Sequence, residues 1–286
     1  MDVGIGLPNA VAGTTGKQLV EFARQAEKHG FSSLGTIDRT VYDNYDPFVA
    51  LAAAAAVTER IRLTTSILIV PNRVNPAVVA KQAASVNALS DGRLVLGVAI
   101  GARDDDYEAG SVSTKGKGAR LDEMLEDMRS IWDGDERGYA GAVGPVSHGA
   151  PQLIVGGSVE AAFKRVARFG DGWIMGGGAP DQFAEAADAV RAAWSEAGRD
   201  GDPRLMSLAY FSLGPDAEAN AKQSIGHYYD WLGEVGDMIV ASAATDAETV
   251  RQYVSGFEKS GCDELIFCPA SGDPDQAGLL AEALEG

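Results

Sequence analysis

Three clusters in the sequence combine residue types that could do chemistry. The first is Gly156-Gly157-Ser158, set between a short apolar run at 152–155 (QLIV) and a segment of helical period that continues to 169. Glycines there permit close approach of the backbone to a ligand, a helix start offers free N–H groups, and the serine adds a hydroxyl, so the triplet suits a phosphate. An ordinary N-cap serine after a tight turn accounts for the same residues. The second cluster, Gly176-Gly177-Gly178, follows the run 173–175 and reads either as a further ligand contact or as a flexible turn. The third is Asp38-Arg39, which closes the run 32–37. A buried carboxylate at Asp38 could shift its pKa and act on protons, or serve as a structural cap. Arg39 is always protonated and suits holding an anion, not shuttling a proton.

Other chemistries find less support. Asp104-Asp105-Asp106 is a run without the ligand spacing a hard cation needs, and reads as a solvated loop. There is no closely spaced cysteine pair and no His-Glu-x-x-His, so zinc is not expected. A Gly-x-Ser-x-Gly elbow fails at Glu160, and Lys115-Gly116-Lys117 lacks the spacing of a phosphate loop. Of the histidines, His29 and His148 match no catalytic pattern, and His227 is a minor candidate for lining a pocket. Arg73 and Arg103 are the nearest positive charges to the candidate clusters, and Cys268 reads as a buried core thiol.

The elements that would position these clusters repeat along the chain. At the centre, residues 61–101 hold two branched apolar runs, 61–70 and 93–100, joined by a helical segment at 76–90 that opens on Pro76 and ends at Ser90-Asp91-Gly92. That is one βαβ unit whose strands lack the alternation of a half-wet sheet and so are buried on both faces. The same alternation is predicted throughout, with strands at 3–8, 32–37, 152–155, 173–175, 204–213 and 264–268. Helices are predicted at 15–29, 47–58, 119–132, up to 169, 180–197, 216–235, 246–259 and 275–284, with 102–117 and 133–151 irregular. Eight such alternations predict an α/β fold, a single-domain (β/α)8 barrel over residues 1–286. In such a barrel, ligand chemistry belongs at the carboxyl ends of the strands.

Composition narrows the partners. The net charge of −17 argues against nucleic acid or an anionic membrane surface, and requires any phosphate to be held locally. Two cysteines make no disulfide framework, no signal segment opens the chain, and no apolar run approaches membrane-spanning length, so the expected location is cytoplasmic.

Several stretches resemble the luciferase-like monooxygenase family: NPAVVAKQAASVNALSDGRLVLGVAIGAR at 75–103, DDYEAG at 105–110, the helix 120–132 and FGDGW at 169–173. The resemblance implies a flavin- or deazaflavin-dependent oxidoreductase with FMN or coenzyme F420 as cofactor, acting on a small organic molecule. Monooxygenation with FMN is the leading expectation, and hydride transfer with F420 is the other. It implies a homodimer, and a separate reductase supplying reduced cofactor. Asp38 and Arg39 then occupy the acid/base position, with Arg39 standing where many relatives carry histidine. A bulge with a non-proline cis peptide is implied within 66–70, and a shortened insertion before the fifth strand. The implied cofactor-binding set is Gly6, Leu7, Asp38, Ser66, Ile67, Leu68, Ala99, Gly101, Arg103, Gly156, Gly157, Ser158, Gly176, Gly177 and Gly178. The Arg39 departure and the short stretch before the fifth strand also motivate an alternative, a non-catalytic barrel that binds flavin or a partner.

Overall fold

The computed structural model describes residues 1–286. Eight parallel strands run in the order of the chain and close on themselves, β8 pairing back to β1. They are β1 (Asp2–Gly6), β2 (Ser33–Thr36), β3 (Arg62–Ile69), β4 (Leu94–Ala99), β5 (Gln152–Gly156), β6 (Gly172–Met175), β7 (Arg204–Phe211) and β8 (Glu264–Pro269). Around them lie α1 (Gly16–Lys28), α2 (Pro47–Ala55), α3 (Pro76–Leu89), α4 (Asp105–Ala109), α5 (Lys117–Trp132), α6 (Glu160–Phe169), α7 (Pro180–Glu196), α8 (Ala217–Tyr229), α9 (Glu234–Ala241), α10 (Ala247–Lys259) and α11 (Gln276–Glu285). The structure is the (β/α)8 barrel that the alternation predicts. Residues 133–151, between α5 and β5, carry one isolated antiparallel bridge, Glu136 to Ala142.

The absence of period-two patterning has a direct cause. Outward side chains such as Leu34, Leu63, Leu96, Trp173 and Leu265 pack under the helices, while Val95, Ile154, Ile174, Met206 and Ile266 fill the barrel interior. Both faces are dry, so both must be apolar. The amino-terminal end is closed by polar side chains instead. Glu264, fully buried, accepts a hydrogen bond from Ser33 at 2.7 Å and from Arg204 Nη2 at 2.6 Å. The opposite end carries no such plug.

Two local expectations give way. The helix predicted over 216–235 is broken: α8 stops at Tyr229, a 3-10 turn covers Asp230–Leu232, and Gly233 at φ 55° lets the chain turn before α9 begins. The stretch taken as irregular, 102–117, contains the short helix α4, whose Asp106 and Tyr107 are buried. Residues 230–233 hold to the helical pattern in sequence, and only the requirement to fold α8 and α9 back over the barrel mouth decides the break.

The third strand carries the implied bulge. Its pairing with β4 shifts register between Thr65 and Leu68, and the Ser66–Ile67 peptide is cis. Gly97 on β4 makes the bulge fit, since a Cβ there would stand 2.0 Å from the Thr65 carbonyl oxygen. Replacing Gly97 by alanine is expected to cost about 3 kcal/mol or more, the upper range for overpacking a core. Urea unfolding of Gly97→Ala against wild type measures it, and an unchanged midpoint would show that β3 and β4 tolerate a wider spacing.

Candidate functional site

A cavity of about 840 Å³ opens at the carboxyl end of the barrel and runs from β3 to the groove between α6 and α7. Ser66 and Ile67 of the bulge, Ala99 at the end of β4, Ile174 of β6 and Leu208 of β7 form its inner part. Its outer part is made by Gly156, Gly157 and Ser158, the first turns of α6, and small residues of α7, Ala186 and Ala189. Gly101 and Gly176-Gly177 line the sides. Nine of the residues expected from sequence to bind cofactor therefore share one cavity.

The start of α6 is where anion chemistry concentrates. Its N-cap is Val159, not Ser158, and no side chain caps the helix. This corrects the reading of Ser158 as an ordinary capping serine. The amides of Ser158, Val159, Glu160 and Ala161 donate to no protein acceptor, and the Ser158 hydroxyl is likewise unused. Helix-terminal N–H groups left without partners suit an anion. The loop is held in this form by FGDGW: the Trp173 indole N–H donates to the Gly157 carbonyl at 2.7 Å, drawing that oxygen away from the cavity side. Asp171 of the same stretch accepts from the Leu153 amide at 2.7 Å, which fixes the entry of β5.

One positive side chain lines this cavity, and the sequence reading missed it. Arg165 is 7% exposed, donates from Nε to Asp122 Oδ1 at 2.5 Å, and from Nη2 to the Gly118 carbonyl at 3.1 Å. It lies on α6, and Ser158 in the loop just before that helix, and both line the cavity. That closeness in sequence was the available signal. Glu185 is the single acid on the lining.

Asp38 and Arg39, expected as catalytic, lie elsewhere. Asp38 accepts from the Ile69 amide at 2.8 Å and from Arg73 at 3.0 Å, and Arg73 also pairs with Asp46 at 3.0 Å. Burial pushes the Asp38 carboxyl above its ordinary range, against the pull of Arg73 and the amide. Arg39 does hold an anion, but it is the protein's own: its Nε donates to buried Asp106 at 2.7 Å. Asp106 also accepts from the amides of Thr40 and Val41. The acidic run is thus no solvated loop at Asp106. It is the anchor of the second strand's carboxyl-terminal loop. Neither Asp38 nor Arg39 lines the large cavity.

The remaining expected residues part ways for plain geometric reasons. Leu68, one step past the bulge, points to the helix side and is fully buried there. Gly6 lies against the backbone of Cys268, and Leu7 borders a small gap beside Tyr210 and Tyr228. Arg103 pairs with Asp105 and stacks 5.4 Å over the Trp231 ring. Gly178 lines a second, adjoining cavity with Gly176 and Gly177. His227 is exposed and contacts the Tyr42 hydroxyl at 2.8 Å.

Comparison with known proteins now bears on the same site. The luciferase-like monooxygenase family matches residues 1–276. The chain belongs to that family. Oxidoreduction is therefore its general chemistry. An uncharacterized protein of Mycobacterium bovis is 33% identical over 218 residues, 65% of this chain and 77% of the relative. An F420-dependent glucose-6-phosphate dehydrogenase of Nocardia farcinica is 33% identical over 187 residues, 57% of this chain and 54% of that protein. Among solved structures, an F420-dependent secondary alcohol dehydrogenase superposes with a TM-score of 0.81 at 19% identity, covering 99% of this chain and 98% of the other. The FMN-bound oxygenating constituent of 3,6-diketocamphane monooxygenase from Pseudomonas putida gives 0.74 at 17%, covering 100% and 96%. At these identities the structural likenesses speak for the fold.

Two outcomes separate structural from chemical roles here. Arg39→Met strands Asp106 in the interior and is expected to cost about 3–5 kcal/mol in urea unfolding; a stability within error of wild type would return Arg39 to the list of working residues. Burial pushes the thiols of Cys262 and Cys268 up to about 12. Both are expected to resist iodoacetamide at mildly alkaline pH in the folded protein and to react once it is unfolded in urea, as mass spectrometry would record.

Proposed function

We propose that this family member is an oxidoreductase that binds FMN or coenzyme F420 in the large cavity, with the phosphate on the start of α6 and the ring against the β3 bulge. The observation that carries the reading is the set of unpartnered amides at residues 158–161 beside an unused Ser158 hydroxyl, at the end of a cavity whose inner wall is apolar. The fit is also steric. A Cβ on Gly176 or Gly177 would meet nothing within 4 Å, so side chains there would grow into the space a cofactor needs. When bound, the cofactor supplies hydride or electron transfer to a small organic molecule. The protein's own tasks are to hold the phosphate through Ser158 and the helix amides, to set the Asp122-paired Arg165 beside it, and to exclude water with Ile67, Ala99, Ile174 and Leu208.

Of the two cofactors, F420 with hydride transfer is the first reading, supported by the named relatives in Nocardia farcinica and Gordonia bronchialis, at 33% and 34% identity. FMN-dependent monooxygenation is the second, favoured by the FMN-bound Pseudomonas putida enzyme, and it would call on a separate reductase. A homodimer is part of the proposal; Val49, Val78 and Leu89 on α2 and α3 stand 64%, 49% and 67% exposed and offer an apolar face for it. A cytoplasmic location is proposed with it. Of the two motives for the non-catalytic alternative, the Arg39 departure is accounted for by its pairing with Asp106.

Titration of FMN and F420 separately, followed by cofactor fluorescence, is expected to give saturable binding of at least one. Ser158→Ala is expected to weaken that binding about tenfold or more, the worth of a hydrogen bond to a charged group. Binding of neither cofactor would sink the proposal. Consumption of reduced cofactor with and without oxygen then separates the two chemistries.

A further inference from the structure

A second cavity of about 240 Å³ adjoins the first, sharing Gly176, Gly177 and Leu208 with it. Its far wall comes from the helices that fold over the barrel mouth: Tyr229 of α8, Ile239 of α9 and Tyr253 of α10, facing Tyr210 at the end of β7. No charged side chain lines it. The Tyr210 and Tyr229 hydroxyls stand 2.9 Å apart and have no other hydrogen-bond partner in the protein. Two phenols sharing one hydrogen bond use one proton between them and leave the other free to donate. Burial raises both phenols above their ordinary range, so both keep their protons at neutral pH.

We infer that this second cavity is the subsite for the molecule that reacts at the cofactor, and that it takes a small uncharged compound whose carbonyl or hydroxyl oxygen accepts the unspent O–H of the Tyr210–Tyr229 pair. The inference rests on the proposed cofactor site, which supplies the neighbour across Gly176, Gly177 and Leu208.

The charge argument is independent of the tyrosines. A carboxylate or phosphate ester in this cavity would lose its hydration and meet no charged side chain, only the backbone amides of Gly176 to Gly178, which leaves a large cost. The nearest arginines on the mouth are already spent: Arg39 on Asp106 and Arg103 on Asp105. Arg39 and Arg103 instead steady the covering helices from the outside, lying 5.6 Å from the Tyr228 ring centre and 5.4 Å from that of Trp231. The Tyr253 hydroxyl is tied to the Ser242 carbonyl at 2.5 Å, so it shapes the wall and does not offer a donor. Side-chain polar recognition falls to the Tyr210–Tyr229 pair, because the Ser242 hydroxyl is spent on the Ile239 carbonyl at 2.8 Å and no charged side chain lines the cavity.

Fluorine NMR with para-fluoroacetophenone and para-fluorobenzoate tests this on the full chain, with and without the cofactor it binds. The ketone is expected to broaden saturably and the benzoate to show no specific binding. In the double variant Tyr210→Phe/Tyr229→Phe the ketone is expected to bind about tenfold more weakly, with the thermal midpoint near that of wild type and cofactor affinity within about twofold. Benzoate binding as tightly as the ketone, no ketone binding to wild type, or unaltered ketone affinity in the double variant would each overturn the inference. Ketone binding that survives a failed FMN and F420 titration would uphold the neutral-ligand cavity and its tyrosine pair, and overturn its role beside a cofactor together with the cofactor assignment.

Discussion

The closest approach of two strands sets the shape of the barrel mouth. At the β3 bulge the Thr65 carbonyl presses so near to Gly97 that no side chain fits between them, and the Thr65 hydroxyl donates to the Gly97 carbonyl at 2.7 Å. The register shift that follows sends Ser66 and Ile67 to the cavity and Leu68 to the helices. An unbulged strand would continue strict alternation and present a different pair. The inner wall of the cavity therefore depends on Gly97, which does not itself line it.

Charge is distributed by the same economy. The protein is strongly acidic, and at the mouth its arginines are consumed by its own carboxylates: Arg73 by Asp38 and Asp46, Arg39 by Asp106, Arg103 by Asp105. Buried pairs of this kind add little net stability, because desolvation offsets their attraction, but they are costly to break singly. Arg73 and Arg39 fix the loop after β2 against those after β3 and β4, while Arg103–Asp105 lies within the last. The cavities are left with a backbone anion site at one end and neutral walls at the other. Arg165 lines the larger cavity, and it too is paired, with Asp122.

The helices α8 and α9 give the mouth its roof. Tyr42, Tyr228, Tyr229 and Tyr210 form a chain of edge-on aromatic contacts from the loop after β2 to the end of β7. Such contacts prefer offset and T-shaped geometry and contribute beyond their buried area. The family shares its barrel with enzymes that use different cofactors and substrates, so a covering element of this kind is where a member can be made particular without disturbing the frame.

The sequence by itself determined the barrel. Eight two-face-buried apolar runs alternating with helices leave few other arrangements, and the glycine clusters at 156–158 and 176–178 were legible as cavity walls because only backbone and a hydroxyl were needed there. The FGDGW stretch signalled membership, though its service in holding Gly157 did not show. Tertiary structure alone decided the employment of the charged side chains. Asp38 and Arg39 are adjacent in sequence, yet each is claimed by a partner at least thirty residues away, Arg73 and Asp106. It also decided that Ser158 is not a cap, that 230–233 breaks a helix, and that Tyr210 meets Tyr229. Local pattern reports what each segment buries, whereas long-range pairing of charges and hydroxyls depends on which segments the closed barrel brings together.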